Sequence, residues 1–261
     1  VLRRTHSHAL SSLVQEIAGA IATDCHESYS LGMKQDEQNL ALAVLGSSDW
    51  LRDYPPALQQ QLVAEGRMVR LSAGEWAQAE GDDRSGLFIV IAGSLHSYCA
   101  APGGRAVMIG IVGPGAVLGH TTRYSGGPRL VTAVCVEPSL LLEISETSLD
   151  RVAARSPEIW RAIAGFAYAH TRRTLQLAAE VISLKPRQRV AARLLAAVEG
   201  RDALERPVFK ISQELLGEMM GLTRKTINGY LSAFERDGLV RVGYGQIELR
   251  DIAGLKRIAN S

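Results

Sequence analysis

The chain has 261 residues, 46% of them hydrophobic, and a formal net charge of +2. That is enough apolar material for two domains with cores of their own, and it excludes a disordered polyelectrolyte. No apolar run approaches the ~18 residues of a membrane span, and the N-terminal stretch lacks the compact apolar core and cleavage site of a secretion signal, so a cytoplasmic location without a membrane partner is expected. The charge is unevenly divided: from Lys185 onward 14 Lys and Arg face 9 Asp and Glu, a surplus of +5, and the preceding part carries −3. A phosphate-bearing partner is therefore expected at the C-terminal end. Cys25, Cys99 and Cys135 are widely spaced with no CxxC, which suits buried thiols and suggests neither disulfides nor a zinc site.

In chain order, residues 1–38 read as an arm or peripheral helix, with Leu10, Leu13, Ile17, Ile21 and Ala22 at helical spacing. His6, His8, Cys25 and His26 nearby lack metal-ligand spacing, and no metal site is expected. A helical region from Leu40 to Val63 is interrupted by Pro55 and Pro56. Between Arg67 and Ile144 short apolar runs alternate with glycine turns, the pattern of a small antiparallel barrel or roll. From Pro157 to about Leu184 one long helix is expected. On it Ile163, Ala167, His170, Thr174, Leu177 and Val181 follow four-three-four-three-four spacing, the seam of a two-stranded coiled coil. A helix packed on its own roll is the other reading, and Trp160, Phe166, Leu175 and Ile182 offer apolar contacts off that seam. Lys185-Pro186 then breaks the helix, and Arg189 to Val198 starts the last domain.

Lys210 to Phe234 reads as two short helices joined by a tight turn. Ser212 can cap the first, whose apolar residues are Leu215, Leu216, Met219 and Met220, and Gly221 ends it. Thr223 can cap the second, which puts Ile227, Leu231 and Phe234 on one face and Arg224, Lys225, Asn228, Gly229 and Ser232 on the other. That polar face suits a major groove, with Arg224, Lys225 and Asn228 near base edges and phosphates. Ser212, Gln213, Thr223, Thr226 and Ser232 complete the expected DNA-binding set. A helical hairpin with a solvated charged face is the plainer alternative. Downstream, Gly238, Leu239-Val240, the turn Gly243-Tyr244-Gly245 and Gln246–Leu249 read as helix stop, strand, hairpin and strand, which makes the unit a winged helix-turn-helix.

SQELLGEMMGLTRKTINGYLSAFERDGLV resembles the DNA-binding motif of the Crp/Fnr family of bacterial transcription factors. Upstream, LSAGEWAQAEGDDRSGLFIVIAGSL, VGPGAVLGH and PRLVTAV resemble that family's cyclic-nucleotide-binding β-roll. The resemblance implies an α+β chain: an antiparallel, jelly-roll-like β-roll sensor (39–156), a dimerisation helix (157–184) and a winged helix-turn-helix (185–261). It further implies a homodimer on a near-palindromic operator in double-stranded DNA, with RNA polymerase as a partner. In this family the effector pocket pairs a Gly-Glu with a later Arg followed by Ser or Thr. Here Gly119 and Arg129 are present, but His120 stands in place of the Glu and Leu130 in place of the hydroxyl. Thr174 falls where the family places an adenine-contacting hydroxyl, followed by Leu175. Without an acidic acceptor and a phosphate donor, each missing contact costs ~1–3 kcal/mol, so tight binding of cAMP or cGMP is not expected. Arg129 then serves a structural ion pair or another anion, and an unidentified small-molecule effector remains open. An iron–sulfur cluster is disfavoured because only Cys25 lies upstream of the roll. Haem is a minor alternative through His120 and His170. At the family's base-reading Glu and Arg positions this chain has Lys225 and Gly229. An effector-sensing module is the second functional reading. An enzyme is not expected, since no nucleophile motif, metal triad or phosphate loop in a βαβ unit occurs.

Overall fold

The computed structural model describes residues 35–83, 86–120, 126–197 and 207–261. The arm's expected helix, its histidines and Cys25 lie outside the described residues. By internal contacts the chain divides into two compact units, residues 1–170 and 171–261.

Among the described residues the first unit begins with two helices, α1 (Gln35–Ser47) and α2 (Pro56–Glu65). Proline starts the second of them: Pro55 is the N-cap of α2 and Pro56 occupies its first turn, where a missing N–H loses nothing. Among the described residues eight strands follow: β1 (Arg67–Leu71), β2 (Trp76–Gln78), β3 (Leu87–Ala92), β4 (Leu95–Ala100), β5 (Ala106–Val112), β6 (Val117–Leu118), β7 (Thr132–Cys135) and β8 (Ser139–Ile144). They form two antiparallel four-stranded sheets, ordered β1-β8-β3-β6 and β2-β7-β4-β5.

The uninterrupted apolar run of β3 is explained by burial on both faces. Leu87, Ile89 and Ile91 point to a core shared with Leu45, Leu58 and Leu62 of the helices. Phe88 and Val90 alternate with them and meet Leu95, Leu118, Ala133 and Leu141. At roughly 1.5–3 kcal/mol per fully buried Leu or Ile, these two layers hold the roll together. After β8 comes α3 (Glu146–Arg155), capped by Ser145, whose hydroxyl accepts from the Ser148 N–H at 3.1 Å. Then comes α4 (Ile159–Ser183), a single 25-residue helix as its lack of proline predicts.

The second unit continues with α5 (Pro186–Ala196), β9 (Val208–Lys210), α6 (Gln213–Met220), α7 (Arg224–Arg236), β10 (Val240–Gly243), β11 (Gln246–Leu249) and α8 (Ile252–Ala259). Its antiparallel sheet is ordered β10-β11-β9. Val190, Leu194, Leu216, Ile227, Leu231, Phe234 and Leu255 are fully buried here. No described helix is long and apolar enough to cross a membrane.

Candidate nucleic-acid interface and effector pocket

The helix pair α6–α7 is built by its caps. Ser212 is extended (φ −78°, ψ 154°), and its hydroxyl accepts from the Leu215 N–H at 3.1 Å. Gly221 closes α6 in the left-handed region (φ 63°). Thr223 repeats the Ser212 device for α7, accepting from the Thr226 N–H at 3.1 Å. The turn between the helices is tight because residue 217 has no side chain: a Cβ there would lie 2.6 Å from the Leu222 carbonyl oxygen. Ile227, Leu231 and Phe234 are fully buried, which fixes the rotation of α7 about its axis. Ser212, Thr223, Arg224, Lys225, Asn228, Gly229 and Ser232 are exposed as a consequence, with Gln213 and Thr226 half-buried. Ser232 Oγ donates to Asn228 Oδ1 at 3.1 Å, one turn away on that face. The wing is tied to α7 by the Val242 N–H, which donates to Glu235 Oε1 at 2.8 Å, and Tyr244 stands fully exposed at its tip.

In the roll, Gly119 and Arg129 are brought together. Gly119 has φ +82°, and a Cβ on it would sit 1.5 Å from Arg129 Nη1 and 2.5 Å from the Gly86 carbonyl oxygen. Glycine is required both for the backbone conformation and for the guanidinium's approach. Arg129 is only 3% exposed. Its backbone is held by the Arg129 N–H donating to the Asp82 carbonyl at 2.8 Å, and its guanidinium carbon lies 5.9 Å from the Phe88 ring centroid. Nη1 has no hydrogen-bond partner. Burial pushes the Arg129 pKa down, opposed by the charges of Asp82 and Glu143. Leu130, by contrast, turns outward at 63% exposure.

His120 follows directly after Gly119. Its ring meets Phe166 edge-on at 4.9 Å and His170 at 5.5 Å. Both ring nitrogens are buried without a hydrogen-bond partner. Burial first, then the nearby His170 and, to a smaller extent, the Arg129 charge lower its pKa to about 4, against a weaker opposing effect of the Val117 backbone. His120 is thus a neutral ring at physiological pH. Among the described residues no group of three or more His, Cys, Asp or Glu could hold a metal ion. Cys99 is partly exposed and Cys135 buried, both as free thiols.

On α4 the expected seam divides. Ile163 belongs to the first unit's own core, Ala167 and Leu177 are half-buried, and His170, Thr174 and Val181 are exposed. Thr174 lies in the second unit, whereas Gly119, His120 and Arg129 lie in the first. The large exposed apolar side chains are Tyr168, Leu175 and Ile182, at 72%, 66% and 87% and seven residues apart, together with Val181 at 54%. Three features escaped the sequence reading. Strand β9 is too short for periodicity to reveal. The edge contact of Phe166 on His120 is a tertiary juxtaposition. The pair Arg189 and Arg193 is legible only as two of the three arginines on α5, one helical turn apart.

A β-roll followed by a winged helix-turn-helix defines a class of DNA-binding regulators. Residues 188–258 match the model of the Crp-like helix-turn-helix domain and residues 68–156 that of the cyclic nucleotide-binding domain. The chain is 30% identical to the cyclic AMP receptor protein of Thermus thermophilus, over 69% of its own length and 82% of the relative's. It is 27% identical to a CRP-like cAMP-activated global transcriptional regulator of Mycobacterium tuberculosis, over 83% and 98% of the two lengths. Its fold is also that of a CRP/FNR-family transcriptional regulator from Thermus thermophilus, with a TM-score of 0.60 at 24% identity, covering 75% of this chain and 99% of that one. The chain belongs to the Crp/Fnr family of transcription regulators and carries that family's helix-turn-helix DNA-binding domain.

Proposed function

We propose that the chain acts as a cytoplasmic homodimer that reads a near-palindromic operator by inserting the N-terminal end of α7 into the major groove. The observation that carries this reading is the contrast across α7: a fully buried Ile227–Leu231–Phe234 face opposite an exposed Arg224–Lys225–Asn228–Ser232 face. Arg224, Lys225 and Asn228 reach base edges, and Ser212, Gln213, Thr223, Thr226 and Ser232 hold phosphates. Lys225 and Gly229 give it a different base preference from relatives with Glu and Arg at those positions, since a donor replaces an acceptor. The second copy is supplied along the exposed Tyr168–Leu175–Ile182 face of α4, and the paired readers recruit or exclude RNA polymerase. Selection from a random duplex pool tests the proposal. Enriched inverted half-sites about one helical turn apart are expected, and an unenriched pool would refute it.

The roll acts as the sensor, but for an effector other than cAMP. The curated relatives above are named for cAMP. In this chain the acidic acceptor is replaced by a neutral His120 and the hydroxyl by an outward-facing Leu130. Arg129 is the remaining anion-binding group, supported by its unpartnered Nη1. A bound group that satisfies Arg129 and one imidazole nitrogen fits this pocket better than a cyclic phosphate with a ribose diol.

A further inference from the structure

A cleft of about 220 Å³ lies wholly within the second unit, between the end of α4 and helices α5 and α6. Leu177, Val181, Met219 and Met220 supply apolar walls, and Glu180, Arg189 and Arg193 supply charge. The polar groups are poorly matched to one another. Arg189 Nε is buried without a hydrogen-bond partner. Arg193 is desolvated enough to lower its pKa, with only the charge of Glu180 opposing. Glu180 itself accepts from the Gln176 amide at 3.2 Å. Two guanidiniums against one carboxylate leave a net charge of +1 beside an apolar wall.

From this we infer that the cleft binds a small amphipathic monocarboxylate, with its carboxylate on Arg189 and Arg193 and its hydrocarbon against Leu177, Val181 and the two methionines. A carboxylate satisfies the Arg189 Nε donor that the chain leaves bare, and one negative charge balances the site. Methionine side chains suit a hydrocarbon of variable shape. Leu177, on the cleft wall, points about 160° away from Leu175 of the face along which a second copy is proposed to lie, on a helix of about 100° per residue. Since the cleft joins α4 to the first helix of the reader, occupancy would bias how α6 is held. That makes it a regulatory site separate from the roll.

The test uses the full chain at dimer-forming concentration with methyl-labelled methionine, octanoate as the probe and octan-1-ol as the uncharged control. The five methionines are resolved by number: Met33, Met68, Met108, Met219 and Met220. Octanoate is expected to shift the Met219 and Met220 methyls saturably, to leave Met68 and Met108 in place, and to raise the melting temperature. Octan-1-ol is expected to produce neither effect. Arg189→Gln and Arg193→Gln should each weaken octanoate binding by about tenfold or more, the loss of a charge-assisted contact. Retention of the free-state Met219 and Met220 positions in these variants shows that the unit is folded. Absence of a saturable shift, equal shifts with octan-1-ol, or undiminished octanoate binding in both Gln variants would overturn the assignment.

Discussion

His120 carries two consequences at the scale of single residues. Its folded pKa of about 4 lies below the ordinary histidine value of 6.5, because the ring is buried near His170 and Arg129. The unfolded chain therefore holds more protons than the folded one between those limits, and stability falls as the pH drops from about 6.5 to 4. A shift of this size corresponds to a loss on the order of 3 kcal/mol. Urea unfolding across that range should show a shallower pH dependence in His120→Leu than in the wild type, and identical slopes would show that His120 is not buried neutral. The same site bears on the effector. Calorimetric titration with cAMP should give binding far weaker than expected of a cyclic-nucleotide sensor. The double substitution His120→Glu with Leu130→Ser, which restores an acidic acceptor and a hydroxyl at those two positions, should strengthen it by about tenfold or more. If wild-type affinity already matches that of the double variant, His120 and Leu130 do not set the specificity.

Among the elements, the α6–α7 turn and α4 show how helices are placed by what they exclude. A side chain at position 217 would meet the Leu222 carbonyl at 2.6 Å, and backbone gives way less readily than a flexible side chain. Gly217→Ala is expected to destabilise the second unit by about 1–3 kcal/mol and to weaken operator binding, read by urea unfolding and fluorescence anisotropy. An unaffected midpoint would mean that the turn relaxes freely. On α4, Leu175 and Ile182 are exposed at 66% and 87%, so charging them leaves each chain's own packing intact. Leu175→Glu with Ile182→Glu should convert a dimer into a monomer in analytical ultracentrifugation while the helical circular dichroism is retained. A dimer that survives the double substitution would place the seam elsewhere on the helix.

For the whole molecule, charge division is the property that governs encounter with DNA. The chain from Lys185 onward carries +5 and the remainder −3, so the reader faces phosphate while most of the chain does not attract it. Operator affinity should fall steeply with salt, and Lys225→Ala should relax base preference while leaving the slope of log K against log salt unchanged, as expected of a base-edge contact. A slope reduced by about one per half-site with base preference intact would assign Lys225 to a phosphate instead. How much of this molecule its sequence determined follows from the range of the forces involved. Caps, turns and periodicity are local, so Ser212, Thr223, Gly221, the two proline breaks and the alternating runs of the roll could be read directly. So could the rotation of α7, since Ile227, Leu231 and Phe234 share one face at helical spacing. On α4 several heptad-like stripes coexist, and only packing decides that Ile163 joins the first unit's core while Tyr168, Leu175 and Ile182 are left uncovered by their own chain. Gly119 under Arg129, His120 against Phe166 and the Arg189–Arg193 cleft likewise unite residues that are distant in the chain or brought together only by folding. Burial and desolvation set their chemistry, and burial is a property of the tertiary structure.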